Sequence, residues 1–227
     1  MNKESLELKV STDTLTGLPN KKIFDFDLKN MFVSSISGYV FVIKVEDLAQ
    51  LSKNHDTGYI NNFIEHYSNI IKNTVYKSSK TDSKIYRFYG SLFAVIIKSD
   101  DFKIVENTAS NIVKEITTKM SKNFDVPPRI IQLGGTYIDL YGTIDSVLDS
   151  ANKAYENSKA KENSFSLVTK EEIAKNYEEI DNNVKDIIQE SNFDIDFVLD
   201  TYSFEDDKLV MKEVAPQLFD YDGNRLM

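Results

Sequence analysis

Cysteine is missing from all 227 residues. Its absence excludes disulfides and thiolate metal sites, and it fits a reducing, cytoplasmic setting. Histidine occurs only at His55 and His66, too few for a zinc centre, and both are read as polar helix-surface residues. Nowhere do 18 apolar residues run together, so no membrane span is predicted. The first ten residues are charged and lack the apolar core of a signal peptide. Positive charge is also scarce: 27 Lys and Arg stand against 36 Asp and Glu, for a net charge of −9. With no basic cluster to override that balance, a nucleic-acid surface or direct contact with an anionic membrane is disfavoured, and neither is expected. GxSxG and P-loop signatures, internal repeats and low-complexity segments are likewise absent. Gly134-Gly135 lies inside a predicted strand without the GxGxxG pattern, and reads as a bulge or a close packing point.

What the chain does have is core material. Hydrophobic residues make up 41%, with 14 Phe and 12 Tyr, enough for a packed domain with extra segments. Thr16-Gly17-Leu18-Pro19 is a turn and Asn20 an N-cap for a helix carrying Phe24, Leu28, Met31 and Phe32 at helical spacing. Tyr39 to Val45 reads as a strand buried on both faces. Ile60, Phe63, Ile64, Tyr67, Ile70 and Ile71 mark a long helix. Two apolar strands then meet at the tight turn Tyr89-Gly90-Ser91. A helix from Phe102 to Ile116, a strand over 129–138, a helix from Ile144 to Tyr155 and a strand over Phe165–Val168 follow. This order, α-β-α-β-β-α-β-α-β, predicts an α/β (α+β) sandwich: a mixed central sheet flanked by helices.

Beyond Lys170 the composition shifts. Ile173, Tyr177, Ile180, Val184 and Ile187 form a narrow stripe on a charged helix, read as a linker or packing helix. Two further strands are predicted at Phe197–Tyr202 and Lys208–Lys212. The expected organisation is a first domain over 1–168, a linker helix over 169–192 and a fragment of a second domain over 193–227.

Two stretches carry a family resemblance. Asp13-Thr-Leu-Thr-Gly-Leu-Pro-Asn20 is similar to DxLTGLPN, and Arg87-Phe-Tyr-Gly-Ser-Leu-Phe-Ala-Val-Ile96 is similar to RxGGDEFxxI. Leu133-Gly-Gly-Thr136 and the run Ala151 to Lys159 echo the family's SIGVA and ADxALYxAK. The chain thus resembles, over about residues 10 to 168, the GGDEF domain of bacterial diguanylate cyclases, which condense two GTP into cyclic di-GMP. The resemblance implies the palm-like fold of that family. It also implies Mg²⁺ ligands, because the hard cation takes carboxylate oxygens. Family members draw these from the first Asp of DxDxFKxxND and from the acidic pair of the turn. Here the corresponding positions hold Lys44, Ser91 and Leu92. An ammonium offers no lone pair to a metal. Glu46 and Asp47 keep some acidity nearby and read as the solvated start of a short helix.

Guanine-reading positions map to Ser52 and Asn61, and the phosphate-approach glycines to Asp56 and Ile60. Lys44 and Lys53 allow metal-free contact with a nucleotide's phosphates, so Ser52, Lys53 and Asn61 are the candidate nucleotide-binding residues. The product-inhibition motif RxxD lands on Lys80-Thr-Asp-Ser83, where Arg is missing. The tail resembles the opening of an EAL phosphodiesterase domain. Leu199 stands at a ligand-contacting Gln, Glu213-Val-Ala215 at EAL with Glu213 at a metal-ligand position, and Gln217 at the Arg.

The leading expectation is a catalytically inactive regulatory module in cyclic di-GMP signalling. It would use neither Mg²⁺ nor GTP and would relay conformation between a sensor and an EAL-type output domain. Alternatives are a GTP-binding allosteric domain without turnover and an active cyclase with displaced ligands. Expected partners are a second copy or neighbouring domains of one longer protein, cytoplasmic or the cytoplasmic part of a membrane-anchored chain. A link to cyclic di-GMP would run through the missing EAL-like part.

Overall fold

A computed structural model describes residues 11–46, 48–79, 81–127 and 129–177, and the backbone of 193–202 and 209–218. The chain divides into two compact units, Met1–Lys170 and Glu171–Met227.

In the first unit α1 (Lys21–Val33) starts where the sequence places its cap: the Asn20 side chain accepts from the Ile23 N–H. Phe24, Leu28 and Met31 are its buried stripe. Strand β1 (Tyr39–Val45) follows, then the short α2 (Leu48–Asn54) and the long α3 (Thr57–Ser78). The hairpin β2 (Ser83–Tyr89) and β3 (Leu92–Ile97) leads into α4 (Phe102–Asn123). Strand β4 (Ile131–Tyr137), α5 (Ile144–Ser158) and β5 (Phe165–Val168) complete the body. The predicted order of elements is observed, with α2 as the short helix after Glu46.

The five strands lie in the order β2-β3-β1-β4-β5. All neighbours are antiparallel except β4 and β5. This is the mixed sheet expected. Register places Val40, Val42 and Lys44 beside Ile96, Ala94 and Leu92 on one face. There α1 and α5 close a core of Phe24, Leu28, Met31, Tyr86, Ile138 and Val147 over the strands. Phe93 serves the opposite face, its ring centroid 5.0 Å from Tyr67 of α3, and Tyr39 meets Phe102 of α4. Strand β1 is buried on both faces as expected, save that Lys44 is exposed.

Gly134 is a close packing point and not a bulge, since pairing with β1 runs through it unbroken. A Cβ there would lie 2.1 Å from the Tyr155 nitrogen and 2.3 Å from the Ala151 oxygen. The missing side chain therefore lets α5 lie directly on β4.

In the second unit β6 (Phe193–Tyr202) and β7 (Leu209–Leu218) pair antiparallel. Both run longer than the periodicity alone suggested. Residues 170–177 are helical, while 178–192, the rest of the expected linker helix, lie outside the described residues.

Candidate functional site

The two signature stretches meet in space. Asp13 Oδ1 accepts from the Thr16 N–H at 2.8 Å and from the Thr16 hydroxyl at 2.7 Å. The same oxygen accepts from Arg87 Nη1 at 2.8 Å. The Arg87 backbone N–H donates to the Pro19 carbonyl at 2.9 Å. The other edge of the guanidinium holds the hairpin turn, with Nε and Nη2 donating to the Gly90 carbonyl at 3.1 and 2.8 Å. Gly90 itself has φ +53°, a backbone state that glycine adopts without steric cost. Burial acts to raise the Asp13 pKa, but the bonds from Thr16 and Arg87 outweigh it and hold the carboxyl below its usual range.

Beside this latch lies a shallow cleft of about 400 Å³, lined among others by Lys44, Glu46, Tyr89, Gly90, Ser91 and Leu92. The three candidate metal-position residues are therefore brought together. Lys44 and Leu92 are register partners across β1 and β3. Ser91 is buried, 5% exposed, and its hydroxyl donates to the Val45 carbonyl at 3.4 Å.

Glu46 corrects the sequence reading. It is not a solvated helix start. The Tyr155 hydroxyl donates to its Oε1, and Lys159 Nζ stands 4.0 Å from that oxygen. Lys159 is paired in turn with Glu156 at 2.8 Å, and that hydrogen bond raises its pKa. The Tyr155 ring carries Lys159 Nζ at 4.7 Å and Lys44 Nζ at 5.9 Å from its centroid, within cation–π range. Burial first, then the bond to Glu46, pushes the Tyr155 hydroxyl above the phenol range. Side chains at the ends of β1 and α5 thus form a clasp around Glu46, which itself lines the cleft. Tyr155 and Lys159 belong to the ADxALYxAK echo, but nothing in the sequence pairs them with a carboxylate 109 residues away.

The nucleotide-position residues fall elsewhere. Ser52 and Lys53 are exposed on α2, with the Ser52 hydroxyl donating to the Leu48 carbonyl at 2.8 Å. Asn61 is exposed on α3. None of the three lines the cleft. Asp56 is the N-cap of α3, accepting from the Tyr59 N–H at 2.8 Å. Its carboxylate therefore takes one of the donors that a phosphate would need and places a negative charge beside the rest. His55 sits in the turn before α3 and stacks on Tyr59, ring centroids 3.9 Å apart, so it is not a helix-surface residue. Asp82 pairs with Lys98 at 2.5 Å. Lys80 and the side chain of Glu213 lie outside the described residues. Among the described residues no three His, Cys, Asp or Glu side chains converge in a way that could hold a metal. No helix among them is long and apolar enough to cross a membrane.

A five-stranded mixed sheet with two helices on each face, latched by Asp13 and Arg87, defines a palm-like α/β domain. The sequence matches the family described as diguanylate cyclase, GGDEF domain, over residues 10–164, and the chain belongs to that family. Among solved structures it is similar to the coiled coil and GGDEF domain of DgcB from Caulobacter crescentus in complex with c-di-GMP. That likeness has 20% identity, covers 73% of this chain and 89% of that one, and gives a TM-score of 0.62. The S helix-GGDEF-EAL chain of LapD from Vibrio cholerae, bound to c-di-GMP, is similar at 16% identity with a TM-score of 0.64. It is matched over 98% of this chain and 52% of its own, so this chain spans about half its length. The FimX GGDEF domain from Pseudomonas aeruginosa is similar at 17% identity, over 70% of this chain and 99% of that one, with a TM-score of 0.55. No match is found among curated proteins.

Proposed function

We propose that this is a catalytically inactive GGDEF domain that serves cyclic di-GMP signalling as a regulatory module. The observation that carries the reading is the content of the cleft. An ammonium (Lys44), a buried hydroxyl (Ser91) and an aliphatic side chain (Leu92) share it, and among the described residues its lining carboxylate, Glu46, is engaged by Tyr155 and Lys159. That donor set does not suit Mg²⁺, which takes oxygen ligands and is repelled by a neighbouring cation. The frame of the family is retained and its chemistry is not. A retained frame serves to transmit conformation, here between an upstream sensor and a downstream EAL-type domain.

The second part of the proposal rests on the second unit. The likeness to the LapD GGDEF-EAL chain extends over 98% of this chain, past the end of the family match at residue 164. Glu213 lies on β7 opposite Leu199 of β6, and both are positions matched above to an EAL-type opening. The partners would then be the remaining part of such a domain, or a second copy of this chain.

Calorimetric titration with GTP, with and without Mg²⁺, tests the cleft. No metal-dependent binding is expected. Saturable binding without turnover would instead favour a GTP-binding allosteric domain, and Mg²⁺-dependent turnover would favour an active cyclase.

A further inference from the structure

The outer face of α1 carries a stripe with no partner in its own domain. Phe24, Leu28 and Met31 turn inward. Lys22, Phe26, Lys29 and Val33, spaced four, three and four residues apart, therefore share the opposite face, and all four are exposed. Val33 and Phe26 are 79% and 62% exposed. The other large apolar side chains this open among the described residues are tyrosines, whose hydroxyls suit water. The side chains of Lys22 and Lys29 make no hydrogen bond or ion pair among the described residues, whereas the neighbouring Lys21 pairs with Asp25 at 2.8 Å. A single exposed apolar group is ordinary. Two on one helical line, interleaved with two unpaired cations, make a surface with a definite complement: apolar, acidic and of the same spacing.

The sequence holds that complement. Ile173, Tyr177, Ile180, Val184 and Ile187 recur at four-three spacing, the period of the α1 stripe and of a coiled-coil seam. From 171 to 190 they stand among seven Asp and Glu against two Lys. A second α1 fits less well, since it would bring four ammonium groups into one seam with no carboxylate on either stripe.

We propose that α1 is a docking face for the 171–190 segment of a second copy of this chain. The apolar positions of that segment cover Phe26 and Val33. Its carboxylates, Glu178, Glu179 and Asp181 among them, meet Lys22 and Lys29, whose long stems let the charge reach past the apolar contact. When each copy receives the other's segment, the two contacts close a two-fold dimer. Helix α1 starts at the end of the 11–20 loop that Arg87 holds, so docking bears directly on a latched element. The inference gives a surface to the second copy named above as a partner. It does not depend on the inactivity proposed for the Lys44 cleft, and its failure would leave that reading untouched.

The test uses the full chain with the photoreactive p-benzoylphenylalanine at position 26, in an equal mixture of isotope-labelled and unlabelled copies. Illumination should join that position to the 171–190 segment as mixed-isotope peptides, which only contact between copies can produce. In sedimentation equilibrium, Lys22→Glu combined with Lys29→Glu should weaken self-association about tenfold or more. Lys103→Glu with Lys122→Glu, an equal change of charge at exposed positions of α4, should weaken it far less. Both double variants alter exposed side chains only, so their melting temperatures should match the parent. The proposal is overturned if the chain stays monomeric up to about 1 mM, the weak end of specific affinity. Cross-links confined to single copies or directed to another segment overturn it as well, and so does equal weakening by the two double variants.

Discussion

One guanidinium, that of Arg87, fastens the 11–20 loop to the hairpin turn at Gly90. The pair with Asp13 is mostly buried, with side chains 11% and 24% exposed. Removing one partner strands the other charge, so Arg87→Ala should cost about 2–4 kcal/mol, a little less than for a fully buried pair. Urea unfolding measures this directly, and an unchanged midpoint would show the latch to be slack. Asp13 also sets a pH dependence. Its pKa is lowered in the fold, so the stabilisation is complete above the ordinary aspartate range and fades as pH falls through the depressed value. Asp13→Asn should flatten that part of the acid limb. The tyrosines report the opposite sign. Burial raises Tyr67, Tyr86 and Tyr155, with Asp27 and Glu46 adding to the last two. Their contribution is complete below about pH 10, the free phenol value, and is lost as pH rises beyond it. In a spectrophotometric titration these three of the 12 tyrosines should ionise only as the chain unfolds. Smooth ionisation of all of them near pH 10 would contradict the burial described.

At the scale of elements, two contacts decide how the sheet is covered. Phe93 is fully buried against Tyr67 of α3, and Phe93→Ala should cost about 3–5 kcal/mol. Gly134→Ala should also destabilise, by about 1–3 kcal/mol or more, because its Cβ would meet the backbone of α5. Thermal unfolding of both variants checks this, and a neutral Gly134→Ala would mean that α5 stands off the sheet. These elements were legible because their signals are local. Asn20 capping α1 and the unbroken apolar run of β1 each act within a few residues. Gly134 was narrower: sequence left a bulge or a close approach open, and only the position of α5 decides between them. Glu46 was misread for the same reason. Its local setting, before a polar helix, suggests solvent, whereas Tyr155 and Lys159 reach it from α5. The Lys44, Ser91 and Leu92 cluster was legible only because the family motif names three positions that register then brings together.

For the whole molecule, two units and one family membership frame the expected behaviour. A lone pair of strands buries too little surface to be stable by itself. If β6 and β7 take part in relay, hydrogen exchange should show protection across residues 197–213, and complete exchange within seconds would remove the hairpin from any relay in this chain. Restoring Lys44→Asp, Ser91→Asp and Leu92→Glu together should allow Mg²⁺ to bind. Cyclase activity is still not expected, because Ser52 lacks the amide of a guanine reader and Asp56 caps α3 with a carboxylate. The central claim is that the frame persists without the chemistry. Incubating the purified chain with GTP and Mg²⁺ and separating the nucleotides tests it most directly: the account predicts no cyclic di-GMP above a protein-free control, and Mg²⁺-dependent formation of that product would contradict it.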